Sequence, residues 1–191
     1  LMASEFEVKY RSSPRAMAAL KAACGPFETI TMETTYYDAA DGALSARRWT
    51  LRRRLENGKS VCTLKTPGGG LERGEWEVAC GDILSAVPAL IAAGAPKELE
   101  ALVSGGVTPT CGARFTRLAC RIAYGASEME LALDEGALLG GGREEPLCEV
   151  EAELKRGSKE DTLAFGAFLA ETYGLTPEPK SKLARALALR P

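Results

Sequence analysis

Apolar and polar residues alternate with a period of two over most of this chain, the pattern of strands that bury one face. The alternation runs over residues 4–10, 27–38, 48–56, 59–66, 71–79, 113–124, 127–134 and 147–155, which predicts about eight strands. Asn57-Gly58 is a two-residue hairpin signal between two of them. Pro67-Gly68-Gly69-Gly70, Glu135-Gly136 and the Gly140–Gly142 run read as turns. Helical spacing appears elsewhere. Ser13-Pro14 reads as an N-cap and first helical residue, opening an Ala-rich helix to about Cys24 that Gly25-Pro26 ends. A short helical turn follows Asp41-Gly42, and two short helices over 82–103 are divided by Gly94-Ala95-Pro96. A helix over 158–173 ends at Tyr173-Gly174, and a last one covers 180–189. Strands in hairpin order with few helices predict an α+β fold dominated by an antiparallel sheet, one domain over residues 1–191.

The polar parity of these strands carries mostly charge. Glu5, Glu7 and Lys9 share a face opposite Phe6, Val8 and Tyr10. Arg52 pairs with Arg54, Thr63 with Lys65, Glu75 with Glu77, and Arg117 with Arg121. Glu128, Glu130 and Asp134 share a face, as do Glu149, Glu151, Glu153 and Lys155. A solvated outer face is the ordinary reading of any one such strand. Same-parity glutamates in a row repel each other, however, unless a cation offsets them. Acidic sets on some strands and basic sets on others predict facing walls around a charged ligand. Closing the sheet into a barrel puts the charged parity in the lumen and the apolar parity outside, under the helices. Burying that much unpaired charge costs several kcal/mol per ion. A polyanion with a divalent metal resolves it, with bases on phosphate oxygens and carboxylates on the metal.

Composition narrows the chemistry. The chain has 191 residues, 46% hydrophobic and 26% charged, as in a soluble globular protein. With 24 basic and 26 acidic residues it lacks the basic excess of a nucleic-acid binder. It has no histidine, which excludes Ser-His-Asp and Cys-His catalysis and His-ligated zinc. Cysteines at 24, 62, 80, 111, 120 and 148 form no CxxC pair and read as reduced thiols of a cytoplasmic protein. No run approaches the roughly 20 apolar residues of a membrane-spanning helix, so no membrane partner is expected. Gly68–Gly70 lacks the Gly-Lys-Ser/Thr of a P-loop.

Several blocks together resemble the CYTH domains, the triphosphate tunnel metalloenzymes. Glu5-Phe6-Glu7-Val8-Lys9 matches their ExExK signature. Leu51-Arg52-Arg53-Arg54 with Asn57-Gly58 is similar to their LRxR hairpin, and Thr63-Leu64-Lys65 to their TLK strand end. Arg73-Gly74-Glu75-Trp76-Glu77, Glu130 through Gly136, Cys148 through Leu154 and Ser181-Lys182 follow in the family's order. The blocks span residues 5 to 182 and look most like the inorganic triphosphatase branch, where a helical CHAD domain often follows.

The resemblance implies a closed eight-stranded antiparallel β-barrel tunnel, with helices packed outside, that hydrolyses inorganic triphosphate or short polyphosphate. Lys9, Arg52, Arg54, Lys65, Arg117 and Lys182 would grip phosphate oxygens, with Arg114 a lesser candidate because its parity differs from Arg117. Glu5, Glu7, Glu149, Glu151 and Glu153 would hold Mg²⁺ or Mn²⁺. Glu77, Glu130 and Asp134 would complete the network. Some members activate water with a Lys–Tyr dyad; Arg114 stays protonated and does not support one. A water polarised by metal or by a tunnel glutamate is the favoured expectation, with Tyr37 as an alternative. Thiamine triphosphate hydrolysis, a class IV-type adenylate cyclase and a non-catalytic polyphosphate-binding module are the competing readings.

Overall fold

In the computed structural model, which describes residues 4–191, the strands are β1 (Ser4–Arg11), β2 (Glu28–Asp38), β3 (Thr50–Glu56), β4 (Lys59–Pro67), β5 (Glu72–Ala79), β6 (Thr108–Tyr124), β7 (Ser127–Gly140), β8 (Arg143–Arg156) and β9 (Thr176–Pro177). The helices are α1 (Pro14–Ala23), α2 (Ala43–Ala46), α3 (Ile83–Ala92), α4 (Glu98–Leu102), α5 (Lys159–Tyr173) and α6 (Lys182–Leu187). The sheet order is β5-β4-β3-β2-β6-β7-β8-β1, and β1 pairs back onto β5, so eight antiparallel strands close into a barrel. The short β9 adds to β1. Six helices pack around the barrel. No helix among the described residues is long and apolar enough to cross a membrane.

Local chemistry sets the element ends. The Ser13 hydroxyl accepts a hydrogen bond from the Ala16 N–H at 3.1 Å, and Pro14 opens α1. Asp82 caps α3 through the Ser85 N–H at 2.9 Å, and Ser158 caps α5 through the Asp161 N–H at 3.1 Å. Asn57 and Gly58 take φ of 50° and 81°, the left-handed backbone that a two-residue hairpin turn between β3 and β4 requires.

Two apolar clusters lie outside the barrel, as the parity predicts. Met17 and Leu20 of α1 and Phe165 and Leu169 of α5 pack on Val8, Leu131, Leu133 and Val150. Ile83, Leu90 and Leu99 of α3 and α4 pack on Leu51, Leu64 and Trp76. A third cluster departs from the expectation that the inward parity is charged throughout. Met32, Phe115, Leu138 and Leu147 stand on the inward parity, and Ala186 of α6 is buried with them. Thus α6 packs against inward-facing residues, whereas α1, α3 and α5 cover the outer face.

The long strands correct two sequence expectations. β6 begins at Thr108 and β7 runs on to Gly140, so Glu135-Gly136 lies inside a strand and makes no turn. Gly136 stands opposite Phe115, and a Cβ there would come within 2.1 Å of the Arg114 carbonyl oxygen and 2.6 Å of the Phe115 Cβ. The glycine is needed for this close approach of backbones. Gly136→Ala should therefore lower stability by about 1–3 kcal/mol through overpacking, read as a lower midpoint in urea or thermal unfolding.

Candidate functional site

Strand register puts acids beside acids. Glu7 of β1 stands opposite Glu153 of β8, and Glu153 opposite Glu130 of β7, so three carboxylates sit side by side across three strands. The next inward row holds Lys9 opposite Glu151. Across the barrel, Arg52 and Arg54 of β3 stand opposite Tyr36 and Thr34 of β2. All of these side chains but Thr34, with Lys65, Glu75 and Arg117, line one cavity of about 300 Å³.

The cations in this cavity fall into two kinds. Lys182 and Arg117 are saturated. Lys182 Nζ lies 2.6, 2.8 and 2.9 Å from carboxylate oxygens of Glu151, Glu149 and Asp134. Arg117 makes two parallel 2.8 Å bonds to Asp134 and a third, of 3.0 Å, to Glu151. Burial alone would lower the Lys182 pKa; the surrounding carboxylates outweigh it and raise it. The same cations hold Glu151 well below, and Asp134 below, their ordinary values, against their own desolvation. Lys65 donates to Glu5 at 2.6 Å.

The second kind is under-paired. Arg54 is 4% exposed and, among the described residues, donates only to the Thr34 hydroxyl, at 2.7 Å. Desolvation, then repulsion from Arg52, lowers its pKa to about 10. Arg52 reaches Glu77 and Glu75 only at 3.8 and 4.0 Å, and its buried Nε has no hydrogen-bond partner among the described residues. Lys9 makes no ion pair within 4.0 Å among the described residues, and burial lowers its pKa. A buried guanidinium edge without an acceptor leaves a desolvation cost that an anion in the cavity would relieve.

Two carboxylate groups could hold a metal. Oxygens of Glu5, Glu75 and Glu153 lie within 4.8 Å of one another, as do those of Asp134, Glu149 and Glu151. In the second group Lys182 already supplies the positive charge. The first group fits a divalent ion better. Burial raises the pKa of Glu5 and Glu153, and that of neighbouring Glu7, where Glu151 adds like-charge repulsion. Oxygen-only donors suit a hard cation.

The structure brings Glu5, Glu7, Lys9, Arg52, Arg54, Lys65, Glu77, Arg117, Glu130, Glu151, Glu153 and Lys182 to this cavity. Asp134 and Glu149 stand behind it, fully buried, as partners of Lys182. Two expected residues lie elsewhere. Arg114 is on the outer parity and pairs with Glu144 at 2.7 Å in the open. Tyr37 points outward into the apolar cluster of Leu44, Leu51 and Trp76, and its neighbour Tyr36 takes the inward position. Sequence reasoning missed Glu75 as a companion of Glu5. It also missed Arg185, which donates to Glu149 at 2.7 Å inside the barrel. The parity shared with Glu77 could have found Glu75. Arg185 gave no signal, because a helix end facing a lumen looks like a surface one.

Comparison with known proteins agrees with this geometry. The family model described as CYTH domain matches residues 3–187. An inorganic triphosphatase from Haemophilus influenzae is 29% identical over 174 residues, covering 86% of this chain and 49% of the relative. The chain thus spans about half the length of that relative. A solved Hippeastrum protein, an adenylyl cyclase by name and described as having a dominant triphosphatase activity, superposes with a TM-score of 0.67 at 21% identity, over 98% of this chain and 97% of that one. A Pyrococcus horikoshii structure gives 0.66 at 21% identity over 97% and 99%. At these identities the two structures speak for the fold.

Two outcomes are expected. Lys182→Ala leaves Asp134, Glu149 and Glu151 crowded and under-compensated, and should cost about 3–5 kcal/mol in denaturant unfolding. The second concerns pH. A raised folded-state pKa means that Glu5, Glu7 and Glu153 favour folding below their ordinary carboxylate range and progressively oppose it as pH rises through the raised values. Mg²⁺ or Mn²⁺ should therefore raise the melting temperature near neutral pH, and that rise should vanish as pH falls into the ordinary carboxylate range. A metal effect of equal size at both ends of a thermal-shift pH series would contradict the site.

Proposed function

This chain belongs to the CYTH domain family, and from that premise we propose that its barrel hydrolyses inorganic triphosphate to pyrophosphate and phosphate. The observation that carries the reading is that the under-paired guanidinium groups of Arg52 and Arg54 on β3, and the under-paired Lys9 on β1, line one cavity with the carboxylate row Glu130, Glu153 and Glu7. The similarity to an inorganic triphosphatase supports it.

Arg52 and Arg54 present planar donor edges suited to bidentate phosphate contacts, and Lys9 adds a point charge to the same cavity. A divalent ion, Mg²⁺ or Mn²⁺, held by Glu5, Glu75 and Glu153 would neutralise phosphate charge and lower the pKa of a nearby water. Water attacks a terminal phosphorus in line, the P–O–P bond breaks, and pyrophosphate leaves with its charge on Arg52, Arg54 and Lys65. Glu7 accepts the water's proton; its raised pKa makes it a stronger base than an exposed glutamate. Lys182 and Arg117, held by carboxylates, act chiefly as fixed positive walls. The low-dielectric lumen strengthens all these terms.

Arg54→Ala removes a transition-state donor without removing a carboxylate partner. It should lower kcat/KM for triphosphate by about 100-fold while circular dichroism and elution volume stay those of the parent. The assay is phosphate release from triphosphate, pyrophosphate, ATP and thiamine triphosphate with each metal. Preference for either organic triphosphate, or full activity in the folded variant, would count against the reading.

A further inference from the structure

Beside the charged cavity lies a second chamber of about 470 Å³, between α6, the 67–73 turn and residues 48–50. The two spaces share Thr50, Lys65, Arg73, Ser181 and Leu183 in their linings, so they adjoin at these residues. Around the second chamber stand Arg48, Arg73 and Lys180, none of which makes a side-chain ion pair or hydrogen bond among the described residues. Its one carboxylate, Glu72, is engaged by Lys159 at 2.6 Å. Arg48 also holds a left-handed backbone, φ 56°, unusual for a side chain of its size.

We propose that this chamber is a subsite for the phosphates of a linear polyphosphate that extend beyond the three held in the inner cavity. The proposal rests on the triphosphate reading of that cavity and names the longer substrate class it admits. Three unpaired cations against one neutralised acid favour an anionic occupant and repel a cationic ring such as thiazolium. A phosphate chain suits them because every added unit brings the same charge at a regular interval, and Lys65 and Arg73 border both spaces. Pro67, Gly68 and Gly70 give the turn wall little side-chain bulk toward the chamber. Trp49 offers the only aromatic face in the lining, which makes a nucleobase the competing occupant.

The test uses the whole chain and a double variant, Arg48→Glu with Lys180→Glu, both at exposed positions outside the inner cavity. Kinetics are measured with triphosphate, tetraphosphate and a longer linear polyphosphate, and binding of each by calorimetry. The parent should bind the longer chains more tightly than triphosphate. The variant should lose about tenfold in affinity for them and leave KM and kcat for triphosphate within about twofold. Equal losses for all lengths, or no loss, overturn the subsite. ATP bound more tightly than tetraphosphate, with the difference abolished by Trp49→Ala, overturns it in favour of a base. If the parent turns over no triphosphate, the reading of the inner cavity fails separately, and calorimetry with the long chain still decides the chamber.

Discussion

Opposite charges enclosed in one lumen must balance over a few ångströms, and most of the barrel's interior is arranged by that requirement. Coulomb energies grow as the surroundings lose water, so Glu7 opposite Glu153 opposite Glu130 is a configuration the strands alone would not keep. At the α6 end the balance is internal. Lys182 sits among Asp134, Glu149 and Glu151, and Arg185 and Arg117 satisfy the remaining oxygens. In the open part the balance is incomplete, with acids crowded on β1, β7 and β8 and guanidinium groups crowded on β3. One half of the lumen is finished by its own side chains and the other by whatever enters.

The same division explains the apolar patch inside the barrel. Phe115 lies under the cations of Arg54, Arg117 and Lys182, at 5.3, 5.9 and 5.3 Å from ring centroid to charge. An aromatic face stabilises cations without offering an acceptor, so at Arg54 it holds the guanidinium without occupying its donors. With Met32, Leu138 and Leu147 it forms a dry floor against Ala186. A dry floor keeps water from competing for the donors, and it anchors the helix that carries Lys182.

Much of this was legible in the alternation. Strand parity correctly separated Glu5, Glu7 and Lys9 from Phe6, Val8 and Tyr10, and the Asn57-Gly58 hairpin set the register that puts Arg52 and Arg54 on one face. It misled where a residue's neighbours in space decide its meaning. Glu135-Gly136 looks like a turn until the approach of the Arg114 backbone is known. Tyr36 and Tyr37 are equivalent in composition, and only the inward row of β2 distinguishes them. Arg185 and Ala186 belong by sequence to a short last helix with no marked face, whereas in space they are buried against the barrel's inward-facing residues. Parity is a local property of one strand; closure and the placement of α6 depend on contacts far apart in the chain.

The balance of the open cavity also bears on what can enter it. Its lining includes eight cationic and eight carboxylate side chains, so the wall as a whole is close to neutral. A wall of that kind attracts a bare polyanion less than a basic groove does, since the carboxylates of β1, β5, β7 and β8 offset the pull of its cations. Adding a divalent ion changes the sum: it screens the carboxylates of β1, β5 and β8 and turns the same wall into a net cationic one. In the proposed function, anion and metal affinities would thus be linked, each raising the other by the charge it removes. On the proposed function, the carboxylate row that looks wasteful in a phosphate site would make anion binding conditional on the cation.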